Sequence, residues 1–548
     1  MALSLTAQQK SIIKIFSAED KYLIPSYQRP YSWDIQQCSE LWEDLKTFFD
    51  NGNYTDGYFL GNIVIAKSNE SDFFEVIDGQ QRLITTTLLV KALSLFDNNK
   101  ALINILKITD RRSEVEYPRL KSAVFEDRDN DYLLECLEIT NIPIRSKKNS
   151  RFMENLAYFC EKIEEAKNQI TFDLSKFSDF VLDNVHLLPI QSEDQEQDKA
   201  RDKALTIFET INNRGLDLFD ADIFKAQLYV AAANESKQEV FIYRWNELVE
   251  NSLSIKQNID DIFRIYMHIQ RGKNNDRDSE IGLRQFFSVD TKRYKSLKKQ
   301  NFSEVLNDLE KIVACVSYYS KLVHCENQNP EQQSIDNILV KWFQIIDVYS
   351  NNYPKYAIFV YLFNYATITE SENLNLDNSS KEQLAKLAEN IIRYVYYAGA
   401  TSTIKFKIFD VIVDISNNKI FEYYVDKISE NDFLYFGKIK KGFMLLLIYL
   451  NDKQNPICNY QVDNIIKKSS HYLYPDIEIE FVGNYLLVDE SNYKTRNKSL
   501  DIRKEYFANS SILDIQKLSE DIDEWSAEKN NERAYRIRDK LKQFFIRE

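Results

Sequence analysis

The sequence predicts an α+β fold for about its first 235 residues, a helical middle region, and a small mixed domain at the C-terminus. Three observations carry that prediction. Tyr58 to Ala66 (YFLGNIVIA) and Phe73 to Ile77 (FFEVI) are short, rich in β-branched and aromatic residues, and separated by the polar turn Lys67 to Asp72, which is a β-hairpin pattern. In Arg151 to Glu165, Phe152, Met153, Leu156, Phe159, Cys160 and Ile163 recur at the i, i+3, i+4, i+7 spacing of an amphipathic helix. Residues 236–430 keep helical spacing throughout, with polar breaks at Gly272 to Asp278 and Glu370 to Ser380. The domains expected are therefore 1–235, 236–430 and 431–548.

Taken in chain order, the first dense polar segment inside apolar surroundings is Ile24 to Asp34 (IPSYQRPYSWD), where Tyr27 and Tyr31 flank Arg29 and either stack on a base or simply pack. After the hairpin comes Val76 to Leu89 (VIDGQQRLITTTLL), in which a strand ends at Ile77, Asp78 and Gly79 make a tight turn, and an apolar helix begins near Arg82. A strand, turn and helix in that order suit phosphate, because a helix start offers unpaired N–H groups and Gly79 lets the backbone approach closely. Arg82 adds a two-pronged grip on phosphate oxygens. Asp78 reads as a Mg2+ ligand, a water-orienting group or a plain helix cap.

A strand is expected over Val185 to Ile190, followed by a charged mobile loop, Gln191 to Asp202. Ile207 to Asp222 (IFETINNRGLDLFDAD) repeats the pattern of an Arg among small polar residues, with Asn212, Asn213 and Arg214 at a turn marked by Gly215. Further on, Ser379 and Glu382 make a capping box ahead of Leu384, Leu387, Ile391, Ile392 and Val395. Gly442 to Leu450 reads as a buried helix, being less than half the ~20 residues of a membrane span.

Composition removes several classes. Hydrophobic residues make up 44% and charged residues 28%, with only 11 Gly and 9 Pro in 548 residues, which excludes collagen-like and wholly disordered chains. Lys+Arg 70 against Asp+Glu 84 leaves −14, so any nucleic-acid contact needs a local basic surface. Six scattered cysteines without a CxxC pair fit neither a disulfide framework nor a zinc module, and read as buried reduced thiols. No secretory signal or membrane segment is visible, so a cytoplasmic protein is expected.

IPSYQRPYSW (Ile24 to Trp33), FLGNIVI (Phe59 to Ile65), IDGQQRLITT (Ile77 to Thr86) and FETINNRGLDL (Phe208 to Leu218), in this order, resemble the N-terminal family of GmrSD-type modification-dependent restriction proteins. The resemblance implies a ParB/sulfiredoxin-like fold in which the DGQQR turn binds a nucleoside triphosphate and supports its hydrolysis with Mg2+. Carried over to this chain, Asp78 and Arg82 become the catalytic pair and Asp78 the metal ligand. Gln28, Arg29, Gly79, Gln80, Gln81, Asn213 and Arg214 complete the nucleotide pocket. The implied role is anti-phage defence against foreign or modified DNA, as a homo-oligomer or with a partner defence subunit.

Val482 to Ile512 (VGNYLLVDESNYKTRNKSLDIRKEYFANSSI) resembles the C-terminal half of a His-Me-finger nuclease, with Gly483, Asn484, Asn492, Lys504 and Tyr506 in matching positions. Where that family has its general-base His, this chain has Asn464, an amide with no usable pKa near neutrality. His471, seven residues on, is the alternative base. The expected reading is a degenerate nuclease that still grips DNA phosphates through Lys494, Arg496, Lys498, Arg503 and Lys504, against the plainer reading of these residues as a solvated charged face. The rivals to an NTP hydrolase are a fused NTPase and nuclease, and a nucleotide-dependent sensor that hydrolyses nothing.

Overall fold

A computed structural model describes residues 5–16, 20–52, 57–109, 116–124, 128–146, 150–212, 220–325, 335–369, 373–399, 402–522 and 525–546. They divide into two compact units, Met1–Asn246 with Phe287–Asp290 and Lys295–Phe302, and Glu247–Phe286 with Thr291–Tyr294 and Ser303–Glu548.

In the first unit the elements run β1 (Leu5–Ala7), β2 (Lys10–Ser11), α1 (Ile12–Ile15), β3 (Lys21–Ile24), α2 (Ile35–Asp50), β4 (Tyr58–Ser68), β5 (Phe73–Asp78), α3 (Gln80–Phe96), α4 (Lys100–Leu106), β6 (Lys107–Thr109), β7 (Glu116–Pro118), β8 (Leu120–Ser122), α5 (Arg128–Glu138), α6 (Arg151–Lys167), α7 (Leu174–Asp183), β9 (Val185–Asp194), α8 (Gln197–Asn212) and α9 (Asp220–Ala233). The main sheet is mixed, in the order β1-β9-β4-β5-β3-β8 with β2 also on β9, so the α+β expectation holds. The predicted hairpin is β4 and β5, antiparallel, with Ile65 opposite Val76. On its other side β4 runs parallel to β9 over ten register pairs from Tyr58↔Val185 to Ser68↔Asp194, interrupted by a bulge between Phe59 and Gly61.

The charged stretch from Gln191 is not a loop. β9 continues to Asp194 because β4 is long enough to pair with it, and α8 starts at Gln197. Its charges are engaged: Arg201 closes a two-pronged ion pair on buried Glu75, at 2.7 and 2.9 Å, while Gln197 and the Tyr27 hydroxyl bond the same carboxylate. Helix α3 is apolar nearly all round, burying Leu83, Ile84, Leu88, Leu89, Val90 and Leu93, as a central helix must. α6 keeps the predicted face, Phe152, Leu156, Phe159, Cys160 and Ile163 all buried, behind an N-cap from Ser150. Trp42 of α2 meets Phe177 of α7 edge to face at 5.4 Å in the same core.

The second unit begins with helices, among them Ile259–Lys273, Phe302–Val323, Ile335–Asp347, Tyr353–Tyr365, Asn378–Ala398, Ile404–Ser416 and Lys440–Tyr449. The last is buried over Gly442 to Tyr449, as the apolar run predicts. The helix carrying Leu384 to Val395 starts two turn positions earlier than its expected box: Asp377 caps it by accepting from the Ser380 N–H at 2.9 Å, because an ionised carboxylate is the stronger cap acceptor. Beyond Tyr449 the chain forms an antiparallel pair, Tyr460–Asn464 with Tyr485–Asp489, and three helices of nine residues or more, Leu500–Ala508, Leu513–Asp521 and Ala527–Phe545. Among the described residues no helix is long and apolar enough to cross a membrane.

Candidate functional site

The turn after β5 is built by its own glycine. Gly79 has φ +88°, and a Cβ there would lie 2.5 Å from the Ile63 side chain and 3.0 Å from the Asn62 carbonyl oxygen, so only glycine lets the turn sit against β4. Gly79 is the N-cap of α3 and supplies no side-chain cap, so among the described residues no side chain bonds the Gln80 to Arg82 N–H groups, while the Gly79 N–H meets the Asp78 carboxylate. Asp78 ends the strand rather than capping the helix.

The amides of the motif hold backbone. Gln81 donates to the Pro30 carbonyl at 3.1 Å and accepts from the Ser32 and Trp33 N–H groups at 2.8 and 3.1 Å. Gln80 donates to the Arg29 carbonyl at 3.0 Å, and Gln28 donates to the Ile77 carbonyl at 2.8 Å. Three glutamine side chains thus lace the segment Gln28 to Trp33 onto the start of α3. Gln80 retains one unclaimed group: its Oε1 is buried without a hydrogen-bond partner among the described residues, on a side chain of a residue only 5% exposed.

Arg82 lies across the bulged part of β4, with its Nε 3.1 Å from where a Cβ on Gly61 would be, and it donates to the Asn62 carbonyl at 3.1 Å. The glycine of FLGN therefore makes room for the arginine of DGQQR. Arg29 has no hydrogen bond or ion pair from its guanidinium among the described residues, but its charge acts on two carboxylates, Asp78 and Asp222. Asp222 and Lys225 lie one turn apart near the start of α9, and Lys225 donates to the Gln28 carbonyl at 3.2 Å.

Electrostatically the five side chains are one group. Burial pushes the Asp78 carboxyl above the ordinary carboxylate range, opposed by Arg82, the Gly79 N–H and Arg29. Burial does the same to Asp222, opposed by Arg29 and Lys225 and assisted by Asp78. Lys225, 4% exposed, is pushed down from 10.5 to about 8 by burial, with Asp222 pulling the other way. Three cations, Arg29, Arg82 and Lys225, thus face two carboxylates at an uncapped helix start. That set suits a phosphate chain with a divalent cation, since Mg2+ is commonly held by one or two carboxylates plus phosphate oxygens.

Asn213 and Arg214 lie outside the described residues. Asp222 ends the segment Ile207 to Asp222 but the motif gives it no role there, and Lys225 lies beyond it; the signal available was a Lys on the apolar face of a helix, three residues after an Asp.

In the second unit, the expected DNA-contact residues separate. Arg503 is 1% exposed and spends its guanidinium on Asp463 at 3.0 Å and on the Ile465 carbonyl at 3.1 Å, so it is withdrawn from any phosphate-gripping face. Lys494 and Lys498 are exposed, Lys494 pairing with Glu490 at 3.1 Å, while Arg496 and Lys504 are half-buried, Arg496 lying over the Tyr493 ring. Asn464 occupies the end of its strand opposite Tyr485, and His471 donates its Nε2–H to the Ile477 carbonyl at 2.9 Å. Asn492, 1% exposed, is tied to Asp489 through both its backbone N–H and its amide, at 3.0 and 2.9 Å. Asn484 bonds both ends of its amide to backbone at Ile466 and Ile479. No group of three or more His, Cys, Asp or Glu side chains placed to hold a metal occurs among the described residues.

Residues 12–229 match the family model described as GmrSD restriction endonuclease, N-terminal domain. Among curated proteins none matches the chain.

Proposed function

We propose that this GmrSD-type restriction protein binds a nucleoside triphosphate at the Asp78 to Arg82 turn, hydrolyses it, and acts through that cycle on foreign or modified DNA. The observation that carries the reading is the convergence of Arg29, Arg82 and Lys225 with Asp78 and Asp222 around the uncapped start of α3. Phosphoryl transfer needs little covalent help from protein; it needs positioning and charge neutralisation.

The α3 N–H groups and the three cations bind and orient phosphate oxygens, and the cations offset the negative charge spread over the transferred group. Asp78 and Asp222 are the residues that would hold Mg2+, which when bound supplies further neutralisation of the phosphates. In hydrolysis, water adds to the terminal phosphorus as its bond to the bridging oxygen breaks, and the water proton needs a carboxylate acceptor. Asp78 is the carboxylate assigned to that step, and its burial and the opposing charge of Arg82 support the reading.

The test is phosphate release from each of the four ribonucleoside triphosphates with Mg2+, with and without DNA, in the parent chain, Asp78→Ala and Arg82→Ala. The expected result is turnover in the parent that falls at least about 100-fold in both variants. Turnover that survives Asp78→Ala sinks its assigned role. Binding without turnover in any condition replaces the hydrolase by a nucleotide-dependent sensor.

A further inference from the structure

Four of the six cysteines, Cys38, Cys136, Cys160 and Cys315, are buried as their composition predicts, while Cys325 is half-buried and Cys458 exposed. Those two exceptions meet. Gln344 of the helix Ile335–Asp347 donates its amide N–H both to the Cys325 sulfur at 3.4 Å and to the Ile457 carbonyl at 3.0 Å, which brings the residue before Cys458 to the same amide as Cys325. Burial, and after it the neighbouring Cys458 thiol, push the Cys325 thiol up to about 12.

The surroundings fix both ends. Cys325 follows the helix Phe302–Val323 in a left-handed conformation, φ 57°, with its N–H on the Leu322 carbonyl at 3.1 Å. The Ile457 N–H bonds the buried Tyr449 hydroxyl at 3.0 Å, and the Tyr449 hydroxyl also reaches Gln344. Cys458 opens onto a cavity of about 390 Å³ that His324, Lys441, Asp347 and Glu490 also line, so a small oxidant has access to its sulfur.

We infer that Cys325 and Cys458 are a reversible disulfide site that responds to hydroperoxide. Hydrogen peroxide oxidises the exposed Cys458 thiol to a sulfenic acid, releasing one water. The Cys325 sulfur then attacks the Cys458 sulfur; the S–S bond forms as the S–O bond breaks, and the Cys325 proton leaves with the hydroxyl as a second water. Two thiols are oxidised and one peroxide is reduced to two waters. A dithiol reductant reverses the bond by thiol–disulfide exchange. The closed form ties the segment after one helix to the strand Tyr460–Asn464, a constraint on the second unit that the reduced form lacks.

The experiment is a count of alkylatable thiols after denaturation of the full chain, with peptide mapping. Reduced protein should give all six, the count should fall by two after one equivalent of hydrogen peroxide, and dithiothreitol should restore it. Mapping should recover a peptide joining Cys325 to Cys458. Cys325→Ser should abolish that peptide and leave Cys458 as a sulfenic acid trapped by dimedone, whereas Cys458→Ser, a change at an exposed position, should make the remaining thiols resistant. The inference is overturned if the missing thiols map elsewhere, if the cross-link joins two chains, or if Cys458 passes to sulfinic acid while Cys325 stays alkylatable in the parent.

Discussion

Gln81 and Arg29 belong to neighbouring motif segments, yet their side chains do different work. Gln81 satisfies three backbone groups of the Pro30 to Trp33 segment, whereas among the described residues the Arg29 guanidinium makes no hydrogen bond or ion pair and acts on carboxylates through its charge. Gln81→Ala should therefore lower unfolding free energy by about 1–3 kcal/mol, since it strands buried partners. Arg29→Ala should leave the urea midpoint nearly unchanged and weaken nucleotide binding in a direct titration. Lys225 makes a pH prediction. Its folded pKa lies near 8 against an ordinary 10.5, so between those values the unfolded chain holds a proton that the folded chain has released. Stability should rise with pH across that window, by up to about 3 kcal/mol, a gain absent below pH 8. Lys225→Met should remove that rise in parallel denaturation series. Asp78, Gly79 and Arg82 were legible because turn chemistry and charge are local. Asp222 and Lys225 were not, because their meaning depends on α9 being laid beside Arg29, about 190 residues earlier in the chain.

At the scale of elements, periodicity recovered what period alone decides: the β4–β5 hairpin, α6, and the buried helix through Gly442 to Tyr449. It missed the parallel ladder between β4 and β9, because pairing across so many residues leaves no local trace, and so misread the end of β9 as loop. The same ladder brings α8 over Glu75, where Arg201 satisfies a carboxylate that is 3% exposed. Removing one partner leaves the other charge buried. Arg201→Met should cost about 3–5 kcal/mol in chemical denaturation, and adding Glu75→Gln should recover part of that loss rather than add to it. A simple sum of the two single effects would show that the pair is not coupled.

For the whole molecule, a net charge of −14 opposes DNA, so any DNA affinity must come from a few exposed cations against that background. The C-terminal residues sort by burial in a way that their shared charge did not reveal. Arg503 spends its guanidinium inside the fold, and its loss should unfold the second unit; Lys498, exposed, should contribute only to binding. Lys498→Ala should accordingly leave thermal stability unchanged and, if it touches a phosphate, reduce the slope of log affinity against log salt by about 0.9. Cleavage follows a different logic. A general base needs a basic lone pair aimed at water: the Asn464 amide has none near neutrality, while His471, with its Nε2–H held by the Ile477 carbonyl, keeps its lone pair on Nδ1. With Asn464 in place of the general base, plasmid nicking with Mg2+ should be no faster for the parent chain than for His471→Ala. Nicking that the parent performs and His471→Ala loses would instead make the second unit a nuclease, with Nδ1 of His471 as the base.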